Sequence, residues 1–232
     1  LKISYKESVL NNSLYAGAPV EFDLKPDSTR LYLFFGGISN KIAMPPFEFY
    51  NAARILDENK IFIRDFSQSW YQVGLPGLSS DIETTARYLE EQIERLKPER
   101  VFWVGNSMGG YAALLFAGLL GRGQVIAFAP QTFITPGMRL KNRDFRWGKQ
   151  ILHTYLRSVL KRKVWNVKPL LLKNQTSLQI SIYVSGQSRL DCLHADYLAD
   201  LSNIKIHQIE DGGHGVVRVL RDQGKLPAIL AG

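Results

Sequence analysis

The chain has 232 residues, 45% hydrophobic and 22% charged, which places it among ordinary globular proteins and excludes a disordered or fibrous one. That length fits one large α/β domain, 1–232, better than two small ones, and a single cysteine, Cys192, excludes an internal disulfide framework or a cysteine-rich zinc site. The net charge of +8 is concentrated: residues 131–177 carry eleven basic side chains against the one acid Asp144, a net +10, and the remainder is slightly acidic.

In chain order, β-rich apolar runs alternate with helical patterns, the signature of a mostly parallel sheet covered on both faces. Hairpin strands are expected at Lys2–Tyr5 and Val20–Leu24. Further strands follow at Leu31–Phe35, Ile61–Asp65, Val101–Gly105, Val125–Ala129, Leu178–Ser185 and Ile204–Ile209. Helices are expected at Phe47–Glu58, Asp81–Leu96, Ser107–Leu120, His194–Leu201 and from about Val216. Asp81 suits an N-cap. The longest apolar run, Tyr111–Leu120, is about half of a bilayer span, so no transmembrane helix is expected. Few cysteines point to a reducing, cytoplasmic setting, while Leu1 in place of methionine leaves room for a removed leader.

The basic stretch 131–177 is too long for an ordinary connection of about 2–6 residues and should carry its own structure. Ile151, Leu152, Tyr155, Leu156, Val159 and Leu160 recur at helical spacing, with Lys149, Arg157, Lys161 and Arg162 projecting elsewhere, which predicts an amphipathic helical cap inserted after the sixth strand.

The sharpest chemical signal is Gly105-Asn106-Ser107-Met108-Gly109, a G-x-S-x-G directly after a predicted buried strand and before a small-residue helix. That context suits a nucleophile elbow, in which small neighbours let strand and helix approach closely. The plainer alternative makes Ser107 a helix N-cap. A serine hydroxyl needs a base and a group to orient that base. Of four histidines, His153 lies in the cap, His207 in a strand-like run and His194 at a helix start. His214 alone occupies a glycine-rich loop after the last strand, and it is the favoured base. Asp191, after the strand Leu178–Ser185, is favoured as the acid over Asp196, with Asp65 and Asp144 as further alternatives.

With GNSMGG around Ser107, an acid at Asp191 and a histidine at His214, the chain resembles the α/β-hydrolases over nearly its whole length from Leu31. The resemblance implies a doubly wound sheet of about eight strands, a Ser107–His214–Asp191 triad, and an oxyanion hole in which the backbone N–H of Gly37 or Ile38 pairs with that of Met108. The HGGG signature of lipases is absent; Gly36-Gly37 stands alone.

Asp65, Trp70 and Tyr71 fall at a strand end on the face expected to hold the site, where substrate contact competes with simple loop packing; Arg157 is the candidate substrate contact from the cap. Cys192 reads as buried filler. No metal-ligand or nucleotide-binding motif occurs, so neither a metal nor a cofactor is expected.

Two classes of function remain. One is a serine hydrolase of the esterase or thioesterase type, working through an acyl-enzyme; an alcohol acceptor would make the same machinery an acyltransferase. The basic cap then suggests a small-molecule or carrier-linked acyl substrate with an anionic feature such as phosphate, CoA, an acidic carrier protein or an acidic glycan. The other is a non-enzymatic module using the cap to bind an anionic surface, whether membrane or nucleic acid, of which a basic amphipathic helix suits the membrane. Nucleic acid is not expected as a partner.

Overall fold

The computed structural model describes residues 18–38, 49–158 and 163–232. Seven strands form one sheet: β1 (Val20–Asp23), β2 (Arg30–Phe35), β3 (Asn59–Ile63), β4 (Arg100–Asn106), β5 (Gly123–Phe128), β6 (Leu178–Ser185) and β7 (Ile204–Ile209). Their order is β1-β3-β2-β4-β5-β6-β7. Only the β1–β3 pairing is antiparallel. The switch in strand order therefore falls at β2 and β4, beside the elbow.

Alternation along the central strands buries both faces. Leu31, Leu33 and Phe35 of β2 point into one layer with Val101 and Trp103 of β4, while Tyr32 and Phe34 point into the other with Phe102 and Val104. Aromatic rings continue that second layer across strands, Tyr32 stacking on Phe102 at 4.4 Å and Phe34 on Phe62 at 5.2 Å between centroids.

Helix α1 (Ile82–Leu96) starts at Asp81, which closes a capping box with Thr84. Helix α2 (Met108–Leu120) is buried from Met108 through Gly118, so its apolar, small-residue composition belongs to a core helix. The β5–β6 connection contains α3 (Pro136–Lys141), α4 (Gly148–Arg157) and α5 (Lys168–Lys173). After β6 comes α6 (Arg189–Asp196), and after β7 come α7 (Val216–Asp222) and α8 (Leu226–Ala231).

Several expectations need correction. Within Phe47–Glu58, the described part holds only a 3-10 turn, Ala52–Ile55. The helix expected from His194 starts earlier, because the Ser188 hydroxyl accepts the Asp191 N–H and caps it; Asp191 thus lies in the first turn of α6 and Asp196 at its end. In α4 the buried residues are Ile151 and Thr154, while Leu152 and Leu156 are 58% and 66% exposed. The apolar face read from spacing is therefore rotated: two of its leucines face out. Lys2–Tyr5, Phe47, Val159, Leu160, Lys161 and Arg162 lie outside the described residues. No described helix is long and apolar enough to cross a membrane.

Candidate active site

The turn from β4 into α2 holds Ser107 at φ 56° and ψ −118°, a conformation costly for a residue with a Cβ. The surrounding chain enforces it. The Ser107 N–H donates to the Phe128 carbonyl at 2.9 Å. A Cβ on Gly105 would come within 2.1 Å of the Gly109 carbonyl oxygen, and one on Gly109 within 2.1 Å of the Phe35 carbonyl oxygen. Both glycines of the motif are thus required by close packing of backbone on backbone.

Three predicted residues from distant parts of the chain meet at this turn. His214, in a single 3-10 turn after β7, places Nε2 2.9 Å from Ser107 Oγ. Its Nδ1 lies 2.9 Å and 3.1 Å from the two Asp191 carboxylate oxygens. A carboxylate only accepts, so Nδ1 carries the proton and Nε2 presents a lone pair to the serine hydroxyl. Burial alone would raise the Asp191 carboxyl. Hydrogen bonds and charge from His214, Ser188 and Arg146 outweigh it and hold the group below the usual carboxylate range.

Sequence reasoning missed several neighbours. Gln131 donates from Nε2 to Ser107 Oγ at 3.2 Å, and its Oε1 accepts the Trp70 indole N–H at 3.3 Å. Indole is only a donor, which fixes the amide orientation. Arg146 donates from Nη1 to Asp191 at 2.6 Å and bonds both oxygens of Asp144. The Trp147 ring lies 6.2 Å from the His214 ring, centroid to centroid. Ser188 gives its hydroxyl proton to Asp191 at 2.6 Å. A signal for this cluster was present: Asp144 is the one acid amid eleven bases, a position where a buried ion pair is a natural explanation.

The other site candidates are placed differently. Asp65 is buried, and its carboxylate accepts from the N–H groups of Ser67, Ser69 and Tyr71 and from the Ser69 hydroxyl, at 2.7–3.1 Å. Burial raises its carboxyl against those bonds. It organises its own loop, which corrects the expectation of a substrate contact. Trp70 and Tyr71 are fully buried; Tyr71 donates to the Gly36 carbonyl at 3.0 Å, supporting the loop after β2 from behind. Arg157 lies exposed in the last turn of α4, and among the described residues of this segment Arg146 bonds the triad at Asp191. Gly36 donates to the Ile63 carbonyl at 2.9 Å; Gly37 and Ile38, the loop's expected oxyanion residues, follow it, and Met108 starts α2. Cys192 is half-buried with its thiol on the Ser185 carbonyl.

Of the remaining histidines, His207 stacks on Tyr183 at 4.4 Å, His153 is exposed on α4, and His194 is buried against Asp144. The β5–β6 segment is tied to the body near the site. Gln72 bridges it, accepting the Val164 N–H at 3.0 Å and donating to the Tyr111 phenol, which in turn donates to the Val164 carbonyl.

No protein-family model and no curated protein sequence matches the chain. Solved structures do. A capsule O-acetyltransferase of Neisseria meningitidis serogroup A is 17% identical with a TM-score of 0.62, covering 91% of each chain. The fluorophosphonate-binding serine hydrolase FphF of Staphylococcus aureus is 18% identical with a TM-score of 0.61, over 90% of this chain and 84% of the other. MenH from S. aureus is 15% identical with a TM-score of 0.55, over 91% and 96%.

Proposed function

We propose that this chain, whose fold is that of the α/β-hydrolases, is a serine enzyme that transfers an acyl group from an ester or thioester. The observation that carries this reading is the unbroken hydrogen-bonded line from Ser107 Oγ through His214 to Asp191, at 2.9 Å for each step, on a turn held in a strained conformation. Ser107 Oγ attacks the acyl carbon as His214 Nε2 takes its proton, and Asp191 holds the imidazolium that forms. The backbone N–H groups of Met108 and of Gly37 or Ile38 receive the negative charge on the carbonyl oxygen. The leaving group departs with the proton from His214, and an acceptor then resolves the acyl-enzyme by the same steps in reverse. Water as acceptor makes the enzyme a hydrolase. A hydroxyl acceptor makes it an acyltransferase, a reading supported by the O-acetyltransferase among the structures that share the fold.

Lys141, Arg143, Lys149 and Arg157 are exposed on α3, α4 and their connection, and they support a substrate or carrier with an anionic feature. A complete triad is unnecessary for a pure binding module, which argues against the non-enzymatic alternative. The deciding experiment is covalent labelling by a fluorophosphonate. Wild type labels, Ser107→Ala does not, and both retain the same circular dichroism. Equal labelling of the two proteins, or none of either, overturns the reading.

A further inference from the structure

We propose, resting on the reading that Asp191 orients His214, that Arg146 is a positioning residue of the reaction: it holds the Asp191 carboxylate where His214 Nδ1 meets it. The residue comes from the connection between α3 and α4, 45 positions before Asp191.

The Asp191 carboxylate is fully buried. Its oxygens meet His214 Nδ1, the Ser188 hydroxyl and Arg146 Nη1, the last at 2.6 Å. Arg146 is itself held on several sides. Nε and Nη2 each donate at 3.0 Å to one oxygen of Asp144, its backbone N–H donates to Asp144 Oδ1 at 3.1 Å, and its carbonyl accepts from Arg139 at 2.7 Å. Asp144 is anchored in turn by His194 Nε2 at 3.0 Å. His194 Nδ1 accepts the Thr132 backbone N–H at 3.1 Å. Since an amide N–H only donates, Nδ1 is the acceptor, Nε2 carries the proton, and His194 is neutral. A line of defined polarity therefore runs from Thr132, just after β5, through His194, Asp144 and Arg146 to Asp191.

A structural tie would need only the Asp144 end of that line. Arg146 continues to the carboxylate that His214 uses, and there it competes with the imidazolium for the same negative charge. Nε and Nη2 clamp the Asp144 carboxylate, and that clamp fixes the direction in which Nη1 reaches Asp191 Oδ1.

The test is kcat, KM and the fluorophosphonate labelling rate for Arg146→Lys and for Arg146→Met combined with Asp144→Asn. The double variant removes opposite charges together, which avoids leaving a buried acid beside an empty site. It is expected to lose about 10- to 100-fold in kcat and in labelling rate with KM nearly unchanged, because the loss falls on the transition state rather than on substrate binding. Arg146→Lys keeps a charged donor without the clamp on Asp144, so its kcat falls by less. A folded double variant with the wild-type kcat overturns the proposal. So does a loss carried by KM alone, which would mark Arg146 as a structural tie or a substrate contact. Should the double variant fail to fold, Arg146→Lys decides: a lowered kcat at unchanged KM supports the proposal, and an unchanged kcat overturns it. Wild type that resists labelling fails the triad reading itself, a result separate from any of these.

Discussion

Two histidine–aspartate pairs lie within the reach of one arginine, and they are built alike but situated differently. In both, an imidazole nitrogen donates to a buried carboxylate at about 3 Å, His214 to Asp191 and His194 to Asp144. The difference is the second nitrogen. In His214 it meets the Ser107 hydroxyl, and the side chain is 34% exposed; in His194 it meets a backbone N–H, the side chain is fully buried, and Phe133 packs on the ring at 4.3 Å. A histidine–aspartate bond alone therefore does not mark a catalytic pair. What sets the proposed catalytic pair apart is a serine hydroxyl on the other side and a ring that is partly exposed.

The strongest way to break this comparison is to exchange the consequences. Asp191→Asn is expected to lower kcat/KM by about 10³-fold, because an amide can turn its N–H toward Nδ1 and favour the wrong tautomer. Asp144→Asn, acting only through Arg146, should cost about tenfold or a few tens. Steady-state kinetics on a short activated ester would reverse the assignment if Asp144→Asn proved the more damaging.

A second change acts on the buried pair. His194→Asn removes the histidine bond to Asp144, which keeps those from Arg146, and opens space beside Phe133; a loss of about 2–4 kcal/mol of stability is expected in urea unfolding. A variant as stable as wild type would show that the pair contributes nothing to the fold.

The same contrast has a pH signature. His194 is held below the ordinary imidazole value by burial, and the half-buried His207 is lowered by burial and Lys205. The unfolded chain then binds protons that the folded one does not, so stability is complete above about pH 6.5 and declines below it. Asp144 and Asp191 are held low by their partners, despite burial that opposes this. Their contribution is present above about pH 4 and is lost as pH falls toward their depressed folded values. Tm measured from pH 8 to pH 3 should fall in two stages, with His194→Asn shrinking the upper one. A Tm unchanged between pH 7 and pH 5 would contradict the neutral buried histidine.

The smallest expected effect concerns the exposed cations. For an acyl-CoA, kcat/KM should fall about two- to fivefold between low salt and 0.15 M, while a neutral short-chain ester barely responds. Replacing Lys141, Arg143, Lys149 and Arg157 with Gln should abolish the difference. Equal salt response of both esters would reduce these residues to a solvated face.

What the sequence made legible follows from how each part is constrained. The strands and the elbow are local: β-rich runs, glycines at fixed offsets from Ser107 and a capping box at Asp81 act within a few residues, so their pattern survives in one dimension. His214 was readable because its loop is rich in glycine and follows the last strand. Arg146 and Gln131 were not, because their roles arise from contacts across 45 and 24 positions, and an arginine within a basic run looks like any other. The boundary of α6 was misjudged because Ser188, a serine among loop residues, caps it three positions before the expected acid Asp191. Leu152 and Leu156 matched a helical period and still face outward, since periodicity identifies a stripe without saying which side the body lies on.

The approach of Gly109 to the Phe35 carbonyl carries one more implication. The nucleophile turn and the end of β2 touch through main chain alone, with no side chain between them to rearrange. Substitutions elsewhere in the core can repack around that seam without changing the gap across it, so the spacing between the attacking oxygen and the loop after β2 is inherited from the sheet itself. Heating should then abolish turnover only when the sheet gives way, and inactivation and global melting would follow a single curve.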